Sequence, residues 1–542
     1  MSARNSTHRK NHSSFKHSTK EQPDDGQQFA FKSGRSADET KNYSEFGGDA
    51  QTGADDYAFS KQKPEAAAEI IAEEAFRENL SPELTGQFSE VSNVESEIAN
   101  QPFGKNSKKP KPADNWLARR GHGITYALLF LFTFVLYFRP YELIPGLSGL
   151  SSMAFILAIA TIVIFVPSQL STEGTLTARP SEVNYILLLM MFGALTIPIA
   201  RSPVLAWEAF NDPFIKVVLM FIVMINVVRT KARLKALMWL ALAVGIMLSI
   251  DVLYNYTTGN FSVEGYRAMA NIKGMFGNPN AQAMHFVSIT PIAVALAFAA
   301  KNLLSRLTYV ALTVLFVAGN VVTFSRGGFL GLILVALVLA WKLGRESRFK
   351  VMLATTVIGL IFIAVAPGNY GLRILSIFIP GLDPVGSSGQ RQDLLNTSIL
   401  VTLRNPWGIG MMNFTLVNPR ALVTHNSYTQ VSAEMGVLAL FCYLMLIITP
   451  FRRLMSIERE LYEKENHSWI YYLAIGLQAS IAGYAVSSFF DSAAYQWFLY
   501  YLVAYAVCLR RVYQISQEPK ASNQEQSYFS ALPATNTRLQ TS

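Results

Sequence analysis

Three residues of this chain have types and surroundings suited to handling an anion and a proton. Arg326 stands in Thr323-Phe-Ser-Arg-Gly-Gly-Phe-Leu, between two apolar runs with almost no loop between them. It is either an interface anchor whose charged head reaches water or a clamp for an anion, with the following glycines allowing close backbone approach. Arg391 stands in Ser387-Ser-Gly-Gln-Arg-Gln-Asp-Leu-Leu, a small-residue turn feeding a helix start. It is either a solvated loop arginine or the second half of such a clamp. Two guanidinium groups facing one external cavity suit a diphosphate, because each pairs bidentately with phosphate oxygens. His425 opens Thr424-His-Asn-Ser-Tyr, where Asn426 or Ser427 can cap the helix that follows. Its ring is either an interfacial hydrogen-bonding group or a general base with an ordinary pKa near neutrality. Glu434 falls in the same apolar run and is a functional carboxylate or a protonated packing element. Arg267, with Lys273, precedes the turn Asn278-Pro-Asn, which shapes a cavity or simply starts a helix. There is no Gly-rich phosphate loop, nucleophile elbow, Cys or His cluster with metal spacing, or Asp-x-Asp, so no metal or other cofactor is expected.

These residues must be held by membrane-spanning helices. Of the 542 residues, 51% are hydrophobic and only 15% charged, against about a quarter charged in ordinary soluble proteins. Apolar runs near the length that crosses ~30 Å of hydrocarbon recur along the chain. They predict an all-α, polytopic membrane protein of about twelve spans, near 124–138, 151–167, 183–200, 214–228, 236–256, 281–299, 307–323, 327–341, 350–366, 427–449, 469–489 and 493–509. The net charge of +9 comes largely from short basic loops, so it points to the bilayer and not to nucleic acid. Every second loop is basic, with Arg229 to Lys235, Lys301 and Arg306, Lys342 to Lys350, Arg452 to Arg459, and Arg510 and Arg511. That register places both termini in the cytoplasm. Cys442 and Cys508 sit in apolar runs, so no disulfide framework is expected. The N-terminus lacks a cleavable signal pattern, and insertion is expected to start at the first span.

Residues 1–115 are rich in polar and charged types and are read as a disordered cytoplasmic tail, with a marginal helix beginning at Pro64. A second such tail is expected over 513–542. The outward loop 367–425 runs to about sixty residues, far longer than a hairpin connection requires. Within it, Leu394, Leu395, Leu400 and Leu403 are spaced for an amphipathic helix along the membrane surface.

Ser325-Arg-Gly-Gly, Gly389-Gln-Arg, Asn405-Pro-Trp-Gly-Ile-Gly, and His425-Asn-Ser-Tyr with Glu434-Met-Gly resemble the O-antigen ligase and O-antigen polymerase superfamily. Phe276-Gly-Asn-Pro-Asn and Arg139-Pro-Tyr-Glu are similar too, so the likeness covers about 124–510. The resemblance implies a ligase-like domain over 116–512 with 367–425 as a periplasmic loop, in a bacterial inner membrane. It implies a metal-independent, inverting glycosyltransferase that takes a glycan from undecaprenyl diphosphate. The acceptor hydroxyl would belong to a lipid, a glycan or a protein. Arg326 and Arg391 would hold the diphosphate, His425 would activate the acceptor, and Glu434 and Arg267 would be secondary. A polymerase is the same chemistry with a lipid-linked glycan as acceptor. A secondary transporter would instead collect its polar residues near the midplane of interrupted helices. An envelope scaffold would use the tail.

Overall fold

The computed structural model describes residues 116–517 apart from 145, 148, 150–151, 262–265, 346, 366–378 and 380–385. The expected tail 1–115 with its helix beginning at Pro64, and residues 518–542 of the second expected tail, lie outside the described residues, as does most of 367–385. Among the described residues the chain is helical, without a β-strand. The main helices are α1 (Trp116–Phe138), α2 (Met153–Glu173), α3 (Ser181–Thr196), α4 (Ile215–Val227), α5 (Lys231–Thr257), α6 (Pro279–Ala299) and α7 (Leu303–Val322). They continue with α8 (Arg326–Leu343), α9 (Arg348–Val365), α10 (Ser387–Arg404), α11 (Ser427–Met435), α12 (Val437–Glu463), α13 (Trp469–Ser487) and α14 (Trp497–Gln517).

Among the described residues nine helices, not twelve, are long and apolar enough to cross a membrane. They are α1, α2, the Pro203–Val227 segment that ends in α4, α5 to α8, α12 and α13. The other three expected spans are helical as well. α3 has 16 residues, α9 has 18 with Arg348 and Lys350 in its first turn, and α14 carries Arg510 and Arg511.

The centre of the bundle is α6, packed against α7, α8 and α13. It is buried on nearly every side, polar residues such as Gln282, His285, Ser288 and Thr290 included, as a helix enclosed by others is. Pro279 occupies the first turn, where its missing N–H costs nothing, and the Asn278 side chain accepts the Ala281 N–H at 2.8 Å. Gln282 then ties the preceding loop down. Its Oε1 accepts from Ala270 N at 2.9 Å and its Nε2 donates to Phe276 O at 2.8 Å.

The expected span 427–449 is not one helix. It breaks at Gly436, whose φ of +94° suits only glycine. A Cβ there would lie 2.7 Å from the Pro406 carbonyl oxygen. The break leaves helix-end carbonyls that must find donors. The turn Asn405-Pro-Trp-Gly-Ile-Gly supplies them, with Ile409 N bonded to Ala433 O and Gly410 N to Glu434 O, while Val437 N donates back to Pro406 O. The expected amphipathic helix forms as α10, but its apolar residues divide. Leu394 is buried with Phe414 and Ala433, whereas Leu400 and Leu403 are exposed.

The helix ends remote from Arg326 carry paired charge. Glu458 is buried between Lys342, at 2.5 Å, and Arg345. Glu173 binds both Arg229 and Arg511 at 2.8 Å, and Glu182 binds Arg510 at 2.9 Å. The basic loops read from the sequence thus converge on one end of the bundle, and carboxylates offset the cost of burying their cations.

Candidate functional site

At the other end, four short segments build one cavity. Arg326 is the first residue of α8 and is buried. Ser325 caps that helix by accepting the Gly328 N–H at 3.3 Å. Gly327 has no room for a side chain, since a Cβ would lie 2.8 Å from that of Phe490 and 3.2 Å from the Ser487 carbonyl oxygen. This close approach brings the Phe489-Phe490 turn against the start of α8. The Arg326 guanidinium donates through Nη1 to Ser388 Oγ in the first turn of α10. That bond fixes α10 relative to α8, although 62 residues separate the two partners in sequence.

Arg391 lies further along α10, and His425 lies in the turn before α11 with φ +51°. The α11 cap holds that turn, with Asn426 Oδ1 accepting from Tyr428 N at 2.9 Å and Thr429 N at 3.1 Å. Thr424 Oγ1 and Ser492 Oγ are 2.9 Å apart, and Ser427 Oγ donates to Asp491 O at 2.7 Å. A cavity of about 440 Å³ results, lined by Arg326, Ser388, Arg391, His425 and the Phe489-Phe490 pair among others. The three principal residues singled out in the sequence therefore meet, although they come from three separate segments.

Burial first, and then the neighbouring Arg391 charge, lowers the His425 pKa from 6.5 to about 4. The ring is therefore neutral at pH 7 and able to accept a proton. Its Nδ1 is buried and has no hydrogen-bond partner among the described residues.

The two secondary candidates are placed differently. Neither lines this cavity. Arg267 is buried, donating from Nε to Thr323 O at 2.9 Å and from Nη2 to Asn280 Oδ1 at 2.6 Å. Asn280 Oδ1 also accepts from Ser325 Oγ at 3.1 Å. Arg267 thus braces the turn that presents Arg326. Glu434 is buried and accepts the Tyr495 O–H at 2.7 Å, with the backbone N–H groups of Met412 and Phe414 also donating to it. It ties together three segments beneath the site.

Asp491 was not singled out by the sequence reading, yet it belongs to the charge system of the site. Burial raises its pKa, opposed by Arg391, then by the Ser492 backbone N–H and by Arg267. A signal was present, since Ser488-Phe-Phe-Asp is a charge in a short link between two apolar runs. Among the described residues, no group of three or more His, Cys, Asp or Glu could hold a metal ion.

Residues 311–444 match the family model of the O-antigen ligase. The matched segment contains Arg326, Arg391, His425 and Glu434. No curated protein matches the chain. That segment supplies three of the four sides of the cavity, and nine apolar helices of spanning length are present among the described residues, so the chain carries an O-antigen ligase-like segment within a multi-pass membrane protein.

Proposed function

We propose that the chain is a metal-independent, inverting glycosyltransferase of the ligase type, which moves a glycan from undecaprenyl diphosphate to an acceptor hydroxyl at the periplasmic face of the inner membrane. The observation that carries this reading is the meeting of Arg326, Arg391 and His425 around one cavity. The basic loops gather at the opposite end of the bundle, which supports cytoplasmic termini and an outward site. In the reaction, His425 takes the proton of the acceptor hydroxyl as its oxygen attacks the anomeric carbon. The bond from that carbon to the diphosphate oxygen breaks, and the electron pair leaves with the lipid diphosphate. Arg326 and Arg391 hold the charge that develops there, a role fixed guanidinium groups fill without a metal. Attack opposite the leaving group inverts the anomeric centre. Asp491 balances Arg391 and keeps the pair of arginines from being an unopposed positive cluster.

The test is transfer of a lipid-linked glycan to acceptor in proteoliposomes, comparing wild type with His425→Ala at matched protein. Loss of a positioned base lowers transfer by about 10²–10⁴-fold, with donor binding kept. Near-normal turnover in the variant would remove His425 from the mechanism.

A further inference from the structure

We propose that a second cavity at the same end of the bundle is a saccharide-binding subsite, taking a pyranose unit of the glycan that is being joined. The cavity measures about 500 Å³, within the usual range for small-molecule sites of about 300–1,000 Å³. It opens between α1, α2 and the kinked start of α4, and its walls include Arg139, Phe155, Asp212, Lys216, Gln496 and Trp497.

Its chemistry differs from that of the arginine cavity. Arg139 is paired with Glu142 at 2.5 Å, and Lys216 with Asp212 at 2.7 Å. Each cation of the wall is thus already paired with a carboxylate, Lys216 with Asp212 in the wall itself and Arg139 with Glu142 outside it, which weakens the pull on a phosphate. Hydroxyl groups, which both donate and accept, match such a wall. Phe155 and Trp497 provide apolar ring surface for the C–H face of a sugar, and the Lys216 ammonium already lies 5.5 Å from the Phe155 ring centre. A lysine inside an apolar segment is costly to keep unless it serves a site. The local backbone is shaped for it, because the helix register breaks at Asp212, whose φ of −143° and ψ of +114° are extended.

One chain segment walls both cavities, and a second connects them. The link after α13 gives Phe489 and Phe490 to the first and Gln496 and Trp497 to the second. The loop before α6 braces the Arg326 turn through Arg267 and lines the second cavity with Gly274 and Met275. A glycan whose reacting end lies by His425 would have its next units directed along these segments. Calling the bound sugar part of the transferred or accepting glycan rests on the proposed function; the binding of a saccharide does not.

The experiment is saturation-transfer NMR on the full chain in detergent, with maltotriose and the trimer of N-acetylglucosamine as probes. Saturation transfer is expected to at least one trimer. Lys216→Ala and Gln496→Ala each weaken it, on the order of tenfold for the lysine. Arg326→Ala, in the other cavity, keeps it. Gln496→Ala removes no hydrogen bond that holds the fold, so its effect reports on the ligand. Absence of transfer to both trimers in the wild type, or signals in Lys216→Ala and Gln496→Ala that equal the wild type's, would overturn the proposal. So would phosphatidylglycerol bound at this cavity in place of either trimer. If wild-type protein binds a trimer yet transfers no glycan, the transferase reading falls and the subsite stands.

Discussion

The acid limb of the pH profile reports on His425 more directly than any substitution does. The ring's pKa is lowered from 6.5 to about 4 by burial and then by Arg391. The base must be neutral to accept a proton, so activity is present above this pKa and lost as pH falls through it. At pH 5.5 an imidazole of pKa about 4 is about 97% neutral, whereas one left at 6.5 would be about 9% neutral. The structure therefore predicts that kcat/KM, which follows the free enzyme, changes little from pH 7.5 to 5.5; an unperturbed histidine would cost about tenfold over the same interval. The limb of kcat should lie higher, because a bound diphosphate places negative charge beside the ring and favours its protonated form. Arg391→Ala should move the kcat/KM limb upward but not to 6.5, since burial is the larger cause and remains. The assay is initial-rate transfer of a lipid-linked glycan in proteoliposomes from pH 4 to 8, with intactness checked by return to pH 7.5. A kcat/KM that is already halved near pH 6.5 would refute either the buried setting of His425 or its role as base.

Arg326→Lys should not restore donor binding lost in Arg326→Ala, because an ammonium cannot reproduce a planar contact to Ser388 and phosphate together; equal affinity of the lysine variant and wild type for undecaprenyl diphosphate would contradict the clamp. Glu434→Ala should destabilise the protein by about 1–3 kcal/mol for each buried donor left unmet, while Glu434→Gln, which keeps an acceptor for Tyr495, should retain most transfer; thermal unfolding and transfer assays measure both. Reporter fusions at Glu346 and after residue 517 should give cytoplasmic signals and a fusion at Gly386 an exterior one, and a cytoplasmic signal at Gly386 would remove the outward site.

Arg326, Arg391 and His425 could be found in the sequence because each is a polar residue beside an apolar run where charge is otherwise placed on alternate loops. What sequence spacing does not carry is which side chains turn toward one another. Arg267 and Glu434 have the same outward signature, yet the folded chain uses them as braces, one under the Arg326 turn and one under the 408–414 segment. Asp491 is a lone carboxylate in a short link, which gains meaning only when Arg391 and Arg267 come near it. Phe489 and Phe490 are indistinguishable in sequence from lipid-facing residues. The split of one expected span at Gly436 depends on donors from Ile409 and Gly410, more than twenty residues away in the chain. Hydropathy does step up across that glycine, from the mixed Ser427–Met435 to the apolar start of α12, but such a step does not by itself say that the helix is interrupted.

The cavity lies where three helices begin, and each start carries unfilled backbone N–H groups equivalent to roughly half a positive charge. Side chains already take part of this in α8 and α11, where Ser325 and Asn426 act as caps. α10 is preceded by Gly386, which has no side chain with which to cap it. The peptide dipoles of α8, α10 and α11 thus make the floor of the site electropositive independently of Arg326 and Arg391. Removing either guanidinium would weaken an anion's hold without reversing the sign of the local field, so losses from the two single arginine variants need not sum to the loss in the double variant.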